Sequence, residues 1–286
     1  MNPLLFFKRT FSFVLVFLMF YIIISSILLK NFPFLAPKIY FKHDWLRINE
    51  IIQTSKGKIK NDTIYVGCSV GRQFLEFNYN NQLMSNGSVH PIGNYFLIKN
   101  AILNNRNIKH VVYFSLPEVI GNSISSAGTY NYLVKPFYNF DNRDIILSDT
   151  LVSSVLRRNN FLDLCLFDSY KILSIDDFNY LQDEVSLEFS KESYSWIKKI
   201  KYLCENNDVE FHLISPPVAK SKKDLYNNWQ DIKTIVIGTE LESLFKNYFS
   251  TINYFDDSFL KDHIHWNDKF IKENKNQIIM DLKGFK

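Results

Sequence analysis

The apolar positions of this chain follow two regimes. Residues 11–29, FSFVLVFLMFYIIISSILL, form one uncharged run, while from residue 61 onward short apolar stretches alternate with longer amphipathic ones. The second regime is the signature of βα units, in which buried parallel strands read as short apolar runs and the covering helices repeat at 3.6 residues. Residues 63–66 predict a first strand ending at the turn of Gly67, and residues 82–85 a second. Residues 93–105 carry Leu97, Ile98, Ala101 and Ile102 at helical spacing. Residues 110–116 (HVVYFSL) predict a buried strand stopped by Pro117. A helix over 190–206, with Ile197, Ile200 and Leu203 on one face, precedes a second such strand, 209–215 (VEFHLIS), also stopped by prolines. Residues 223–249 read as mostly helical with a break at Gly238, 251–255 as a last strand, and Asn267 as the cap of a closing helix to about residue 282. Residues 121–187 resist ordering beyond a helix near 144–158 and aromatic loops. They read as an insertion of the kind that covers a site or contacts a partner.

As a helix, residues 11–29 would rise roughly 28 Å, close to the ~30 Å of a bilayer core. The run is longer than a secretory h-region, and Lys30, Asn31, Phe32 and Pro33 follow it in place of a small-residue cleavage site. The expectation is an uncleaved anchor, with the lipid bilayer as partner through 11–29. Lys8 and Arg9 before the run nearly balance Lys30, Lys38 and Lys42 after it. The short tail, residues 1–10, points to a cytoplasmic N-terminus and an extracytoplasmic C-terminal domain on a single-pass inner-membrane protein. Residues 30–60, interrupted by Pro33 and Pro37 and helical near 44–54, read as a stalk, and 61–286 as the α/β domain.

Composition narrows the classes. A net charge of +4 over 286 residues, with basic clusters no longer than 220–223, lacks the concentrated stripe of a nucleic-acid binder. Three cysteines, Cys68, Cys165 and Cys204, are too scattered for a disulfide framework or a zinc knuckle. Cys165 and Cys204 read as small buried hydrophobes.

The chemistry concentrates at two places. In Ile64-Tyr65-Val66-Gly67-Cys68-Ser69 a strand runs into a tight turn, and a serine stands where a helix should begin. Open α/β sheets hold ligands at such carboxyl ends of strands. In Asp262-His263-Ile264-His265 a carboxylate precedes a histidine by three residues, a spacing that lets it orient the ring while the other ring nitrogen takes a serine proton. Imidazole suits this role because it titrates near neutrality.

These two blocks resemble the SGNH (GDSL-like) hydrolase family. Its first block is Gly-x-Ser, matched by Gly67-Cys68-Ser69, and its last is Asp-x-x-His, matched by Asp262 and His265. The resemblance spans residue 61 to the end. It implies a three-layer α/β/α sandwich with a mostly parallel, flavodoxin-like sheet, and a triad of Ser69, His265 and Asp262. It also implies an oxyanion site made by the Ser69 amide, a glycine after the second strand and an asparagine after the third. Gly87, beside Asn86, fills the glycine position with Gly93 as competitor, and Asn122 fills the asparagine position. The aspartate that usually precedes the serine is Cys68 here, and Gly121-Asn122 stands in place of a full Gly-x-Asn-Asp block.

Plainer readings stand beside these. Ser69 alone is a turn or N-cap residue. Cys68 could serve as a thiolate, although its side chain should point away from the helix start. Arg72 reads as a solvated helix-face residue. His263 and His265 form His-x-His, which metals use, whereas His43, His90, His110 and His212 show no partnering spacing along the chain, so no metal site is expected. The resulting expectation is a serine ester hydrolase or O-acyltransferase that needs no cofactor. It would act on acyl groups, such as acetyl, of an envelope glycan, with room for a membrane-bound partner enzyme. The alternative is a catalytically silent module that binds or scaffolds envelope polysaccharide.

Overall fold

The apolar runs expected as strands at 110–116 and 209–215 become neighbouring parallel strands of one sheet. The computed structural model describes residues 3–31, 45–75, 82–84, 90–121, 134, 137, 141–150, 152–153, 191–227, 236–262 and 264–283. The chain divides into two compact units, Met1–Leu46 and Arg47–Lys286.

The first unit contains α1, Pro3–Asn31. Its described side chains, residues 6–21 and 23, are all exposed, including Phe7, Phe13 and Phe17. That stretch spans roughly 24 Å at the helical rise. Among the described residues no helix is long and apolar enough to cross a membrane.

The second unit begins within α2, Trp45–Lys56. Then follow β1 (Thr63–Gly67), α3 (Ser69–Phe74), β2 (Gln82–Met84), α4 (Pro91–Asn104), β3 (His110–Phe114), α5 (Pro117–Gly121), α6 (Arg143–Leu147) and α7 (Lys191–Glu205). β4 (Glu210–Ile214), β5 (Val218–Ala219), α8 (Lys223–Asn227), α9 (Glu242–Ser250), β6 (Tyr254–Phe255) and α10 (Asp268–Lys283) complete it. Most of the insertion expected at 121–187 lies outside the described residues.

The main sheet is parallel, in the order β2-β1-β3-β4. Its central strands bury both faces, as parallel strands must. Ile64, Val66, Val111 and Tyr113 are fully buried on one face; on the other, Val112, Phe114, Ile214 and Leu75 form a cluster with Tyr65 against it. α4 packs on β1 and against α7, and α7 packs on β4. Phe96 and Tyr95 of α4 meet Trp196 of α7 with ring centroids 5.9 and 5.3 Å apart. Buried Asp149 accepts the Trp196 indole N–H at 2.6 Å, so the indole is buried with its polar group satisfied.

Two local features depart from the sequence expectation. The later part of the stretch expected as stalk, α2 from Arg47 and the residues after it, is held by the folded unit. Ile51, Ile52 and Ile59 are buried, and the Asn105 side chain accepts from Ile59 N at 2.8 Å and donates to the Gly57 and Ala101 carbonyls at 2.9 and 3.0 Å. The last strand is shorter than expected and does not join the main sheet. β6 pairs in parallel with β5, a two-residue strand formed directly after Pro216 and Pro217, in a separate small sheet. The prolines lack the N–H needed to extend β4, and Val218 is the first residue beyond them with a donor, which it gives to the Asn253 carbonyl at 2.9 Å.

Candidate active site

The turn that presents Ser69 is set by Gly67. Its φ of +127° is open to glycine and strained for L side chains, and a Cβ there would stand 1.9 Å from the Phe114 carbonyl oxygen. With no side chain in the way, β1 closes on β3, and the Cys68 N–H donates to that same Phe114 oxygen at 3.0 Å. Cys68 is extended (φ −88°, ψ 168°) and caps α3, so Ser69 is the first helical residue. Its amide therefore belongs to the N-terminal group that has no acceptor within the helix.

The histidine arrives from the opposite end of the sequence on a tight loop. The Asp262 Oδ1 accepts the backbone N–H groups of Ile264 and His265 at 2.9 and 2.7 Å, an Asx turn that folds the loop back on itself. The Lys261 N–H donates to the His265 carbonyl at 2.7 Å, and Leu260 bridges Trp266 in antiparallel fashion. The other carboxylate oxygen, Oδ2, lies 2.9 Å from His265 Nδ1. His265 Nε2 lies 2.8 Å from Ser69 Oγ. A carboxylate at Nδ1 fixes the tautomer with the proton there, leaving Nε2 to accept from the serine hydroxyl.

The partial burial of Asp262 opposes its ionisation, but the two backbone N–H groups and the His265 ring outweigh it and hold the carboxyl at about 2. It is an anion throughout the neutral range, ready to stabilise an imidazolium. Ser69 and His265 are half-buried, and Asp262 lies on the exposed side of the loop. Ser69 is thus partly exposed, and His265 and Asp262 are held behind it by the Asx turn.

Two residues not anticipated from the sequence hold the loop against α3. The Gln73 side chain donates to the Trp266 carbonyl at 3.1 Å and accepts the Trp266 N–H at 3.1 Å. One amide thereby pairs with the backbone next to His265 as a neighbouring strand would. Trp266 is fully buried, stacks on Phe270 at 4.4 Å and donates its indole N–H to Pro217. A signal for Gln73 exists in the sequence, since it follows Ser69 by four residues and so shares its helix face. Nothing local marks its partner.

The structure brings Ser69, His265 and Asp262 within hydrogen-bond distance in series. Gly87, Asn86 and Asn122 lie outside the described residues, as do His263 and Cys165. Gly93 lies in the first turn of α4, and its N–H donates to the His90 carbonyl at 3.0 Å, so it offers no free amide to an oxyanion. Cys68 is 2 % exposed and its thiol is pushed up by burial, which argues against a thiolate at this position of the turn. Cys204 is likewise buried, its thiol pushed up to about 12. Arg72 is half-buried rather than solvated. A second serine–histidine contact, Ser193 to His90 at 3.0 Å, is sealed in the core at 0 % and 5 % exposure and cannot meet a substrate.

No family model matches the chain, and no curated protein or solved structure is significantly similar to it.

Proposed function

We propose that this chain is a serine ester hydrolase or O-acyltransferase of the SGNH type, anchored in the cytoplasmic membrane and acting outside it on acyl esters of an envelope glycan. The observation that carries the reading is the continuous relay from Ser69 Oγ through His265 to Asp262, with spacings of 2.8 and 2.9 Å. It stands at the carboxyl end of a parallel strand, where α/β folds keep their chemistry. The two end blocks carry the family reading, and with it the three-layer flavodoxin-like sandwich.

In the proposed reaction His265 Nε2 takes the Ser69 proton as Oγ attacks the acyl carbonyl. Asp262 stabilises the imidazolium that forms. The Ser69 amide donates to the oxyanion, with Gly87 and Asn122 as the two further donors the family pattern assigns. Collapse of the tetrahedral intermediate returns the proton from His265 to the departing alcohol and leaves an acyl-Ser69. Water or a sugar hydroxyl then repeats the sequence in reverse. The apolar run 11–29 in α1 supports the anchor.

The test is release of acetate from O-acetylated glycan, and its transfer between glycans, by the full chain in detergent micelles. The reading expects turnover that is lost in Ser69→Ala. Turnover equal in wild type and Ser69→Ala refutes the assignment, and absence of turnover with every acyl ester tried favours the silent binding module.

A further inference from the structure

The main sheet carries a second cluster of chemistry at the end remote from Ser69. His110 opens β3, and Glu210 and His212 belong to β4. The parallel register sets His110 opposite Glu210 and Val112 opposite His212. Side chains alternate along strands, so all three project from one face. His110 Nδ1 lies 3.2 Å and His212 Nε2 lies 3.5 Å from the same carboxylate oxygen, Glu210 Oε2. The ligating atoms of the three residues all lie within 4.8 Å of one another.

From these positions we infer a binding site for a first-row divalent transition metal of the zinc class, held by His110, Glu210 and His212. Metal–nitrogen and metal–oxygen bonds of about 2.0–2.2 Å in a tetrahedron put neighbouring donors roughly 3.3 Å apart. The two Glu210–histidine separations fall on either side of that value, and the two imidazoles offer ligand atoms within 4.8 Å of each other. Two imidazoles and one carboxylate suit zinc, cobalt, nickel or copper better than calcium or magnesium, which prefer oxygen shells. The imidazoles are 27 % and 15 % exposed and Glu210 60 %, so the ligands have firm strand backbones while the carboxylate side opens to water. Three protein ligands leave a fourth position for that water. The ion would clip edge strand β4 to β3, roughly 13 Å along the strand from Phe114, which supports the Ser69 turn.

Sequence spacing hid this set. No metal site is expected from the one-dimensional distances between histidines, and only the β3–β4 register brings His110 beside His212.

The experiment is a cobalt titration of the untagged, chelator-stripped full chain in micelles, followed by visible d–d absorption and by zinc displacement. One equivalent of Co²⁺ is expected, displaced by Zn²⁺. Glu210→Gln, His110→Ala and His212→Ala are expected to weaken it by more than the roughly 100-fold ceiling for loss of an outer-shell partner. His265→Ala, which removes the alternative His-x-His donor, leaves it unchanged. Glu210 is exposed, so E210Q keeps its fold, and circular dichroism verifies this for each variant. No cobalt site in the wild type, binding that survives both histidine substitutions, or binding lost only in His265→Ala would each overturn the inference. The readout is independent of Ser69 chemistry, so failure of the hydrolase proposal leaves it standing.

Discussion

At Gly67 the approach of two strands leaves no room for a β-carbon, and the turn that follows delivers both the buried thiol of Cys68 and the half-buried hydroxyl of Ser69. Gly67→Ala must push β1 from β3 and strain a positive φ as well. It is expected to cost on the order of 4 kcal/mol or more, seen as a collapse of the denaturation midpoint. Cys68→Ala removes one sulfur from a buried cap and is expected to cost only about 1 kcal/mol while keeping the serine reactive. That contrast separates the steric role of the glycine from any chemical role of the thiol. Asp262→Asn keeps an oxygen for the Asx turn but loses the anion that holds the imidazole tautomer. Acyl transfer is expected to fall by on the order of 10³–10⁴-fold with the secondary structure intact by circular dichroism. The folded-state pKa of Asp262 is depressed to about 2. The stability it contributes is therefore present above the ordinary carboxylate range and lost as the pH falls towards 2. Below about pH 4 the difference in melting temperature between the wild type and Asp262→Asn is expected to narrow as the pH falls towards 2.

The elements that carry the site differ in how they are written into the chain. Strand β3 and the helix α4 before it follow from local apolar patterns, and Asn267 caps α10 as its position suggests, its side chain accepting the Phe270 N–H at 2.9 Å. Ser69 and the Asp262–His265 pair are legible because a turn glycine and a three-residue spacing are local facts. What joins them is not local. The clamp between Gln73 and Trp266, the small β5–β6 sheet and the His110–Glu210–His212 cluster all depend on which distant strands become neighbours. Periodicity says nothing about that. That the end of the expected stalk belongs to the folded unit was hidden for the same reason, because the polar Asn105 side chain, at the end of α4, gathers the backbone of residues 57–59 into the fold. Gln73 is a positioning residue. Gln73→Leu removes two hydrogen bonds of about 0.5–1.5 kcal/mol each and frees the loop beside His265. The expected result is a fall in kcat of about tenfold with KM little changed, and partial rescue by Gln73→Asn if that shorter amide still reaches Trp266. A purely structural role would lower the melting temperature and leave kcat per folded molecule unaltered.

At the scale of the whole molecule, an apolar helical segment precedes a parallel α/β unit whose relay sits at the carboxyl end of its first strand. If residues 11–29 anchor the chain, carbonate washing will leave it in the membrane fraction and deletion of residues 1–31 will release a domain that still reacts. Recovery of the full chain in the soluble fraction would contradict the anchor. The central claim, though, is the nucleophile. Its most direct measurement is labelling of the folded full chain with a fluorophosphonate, followed by mass mapping of the modified peptide. The account predicts a single adduct on Ser69, absent in Ser69→Ala and strongly slowed in His265→Ala. A correctly folded chain that takes no label on Ser69, or takes it equally well without His265, would contradict it.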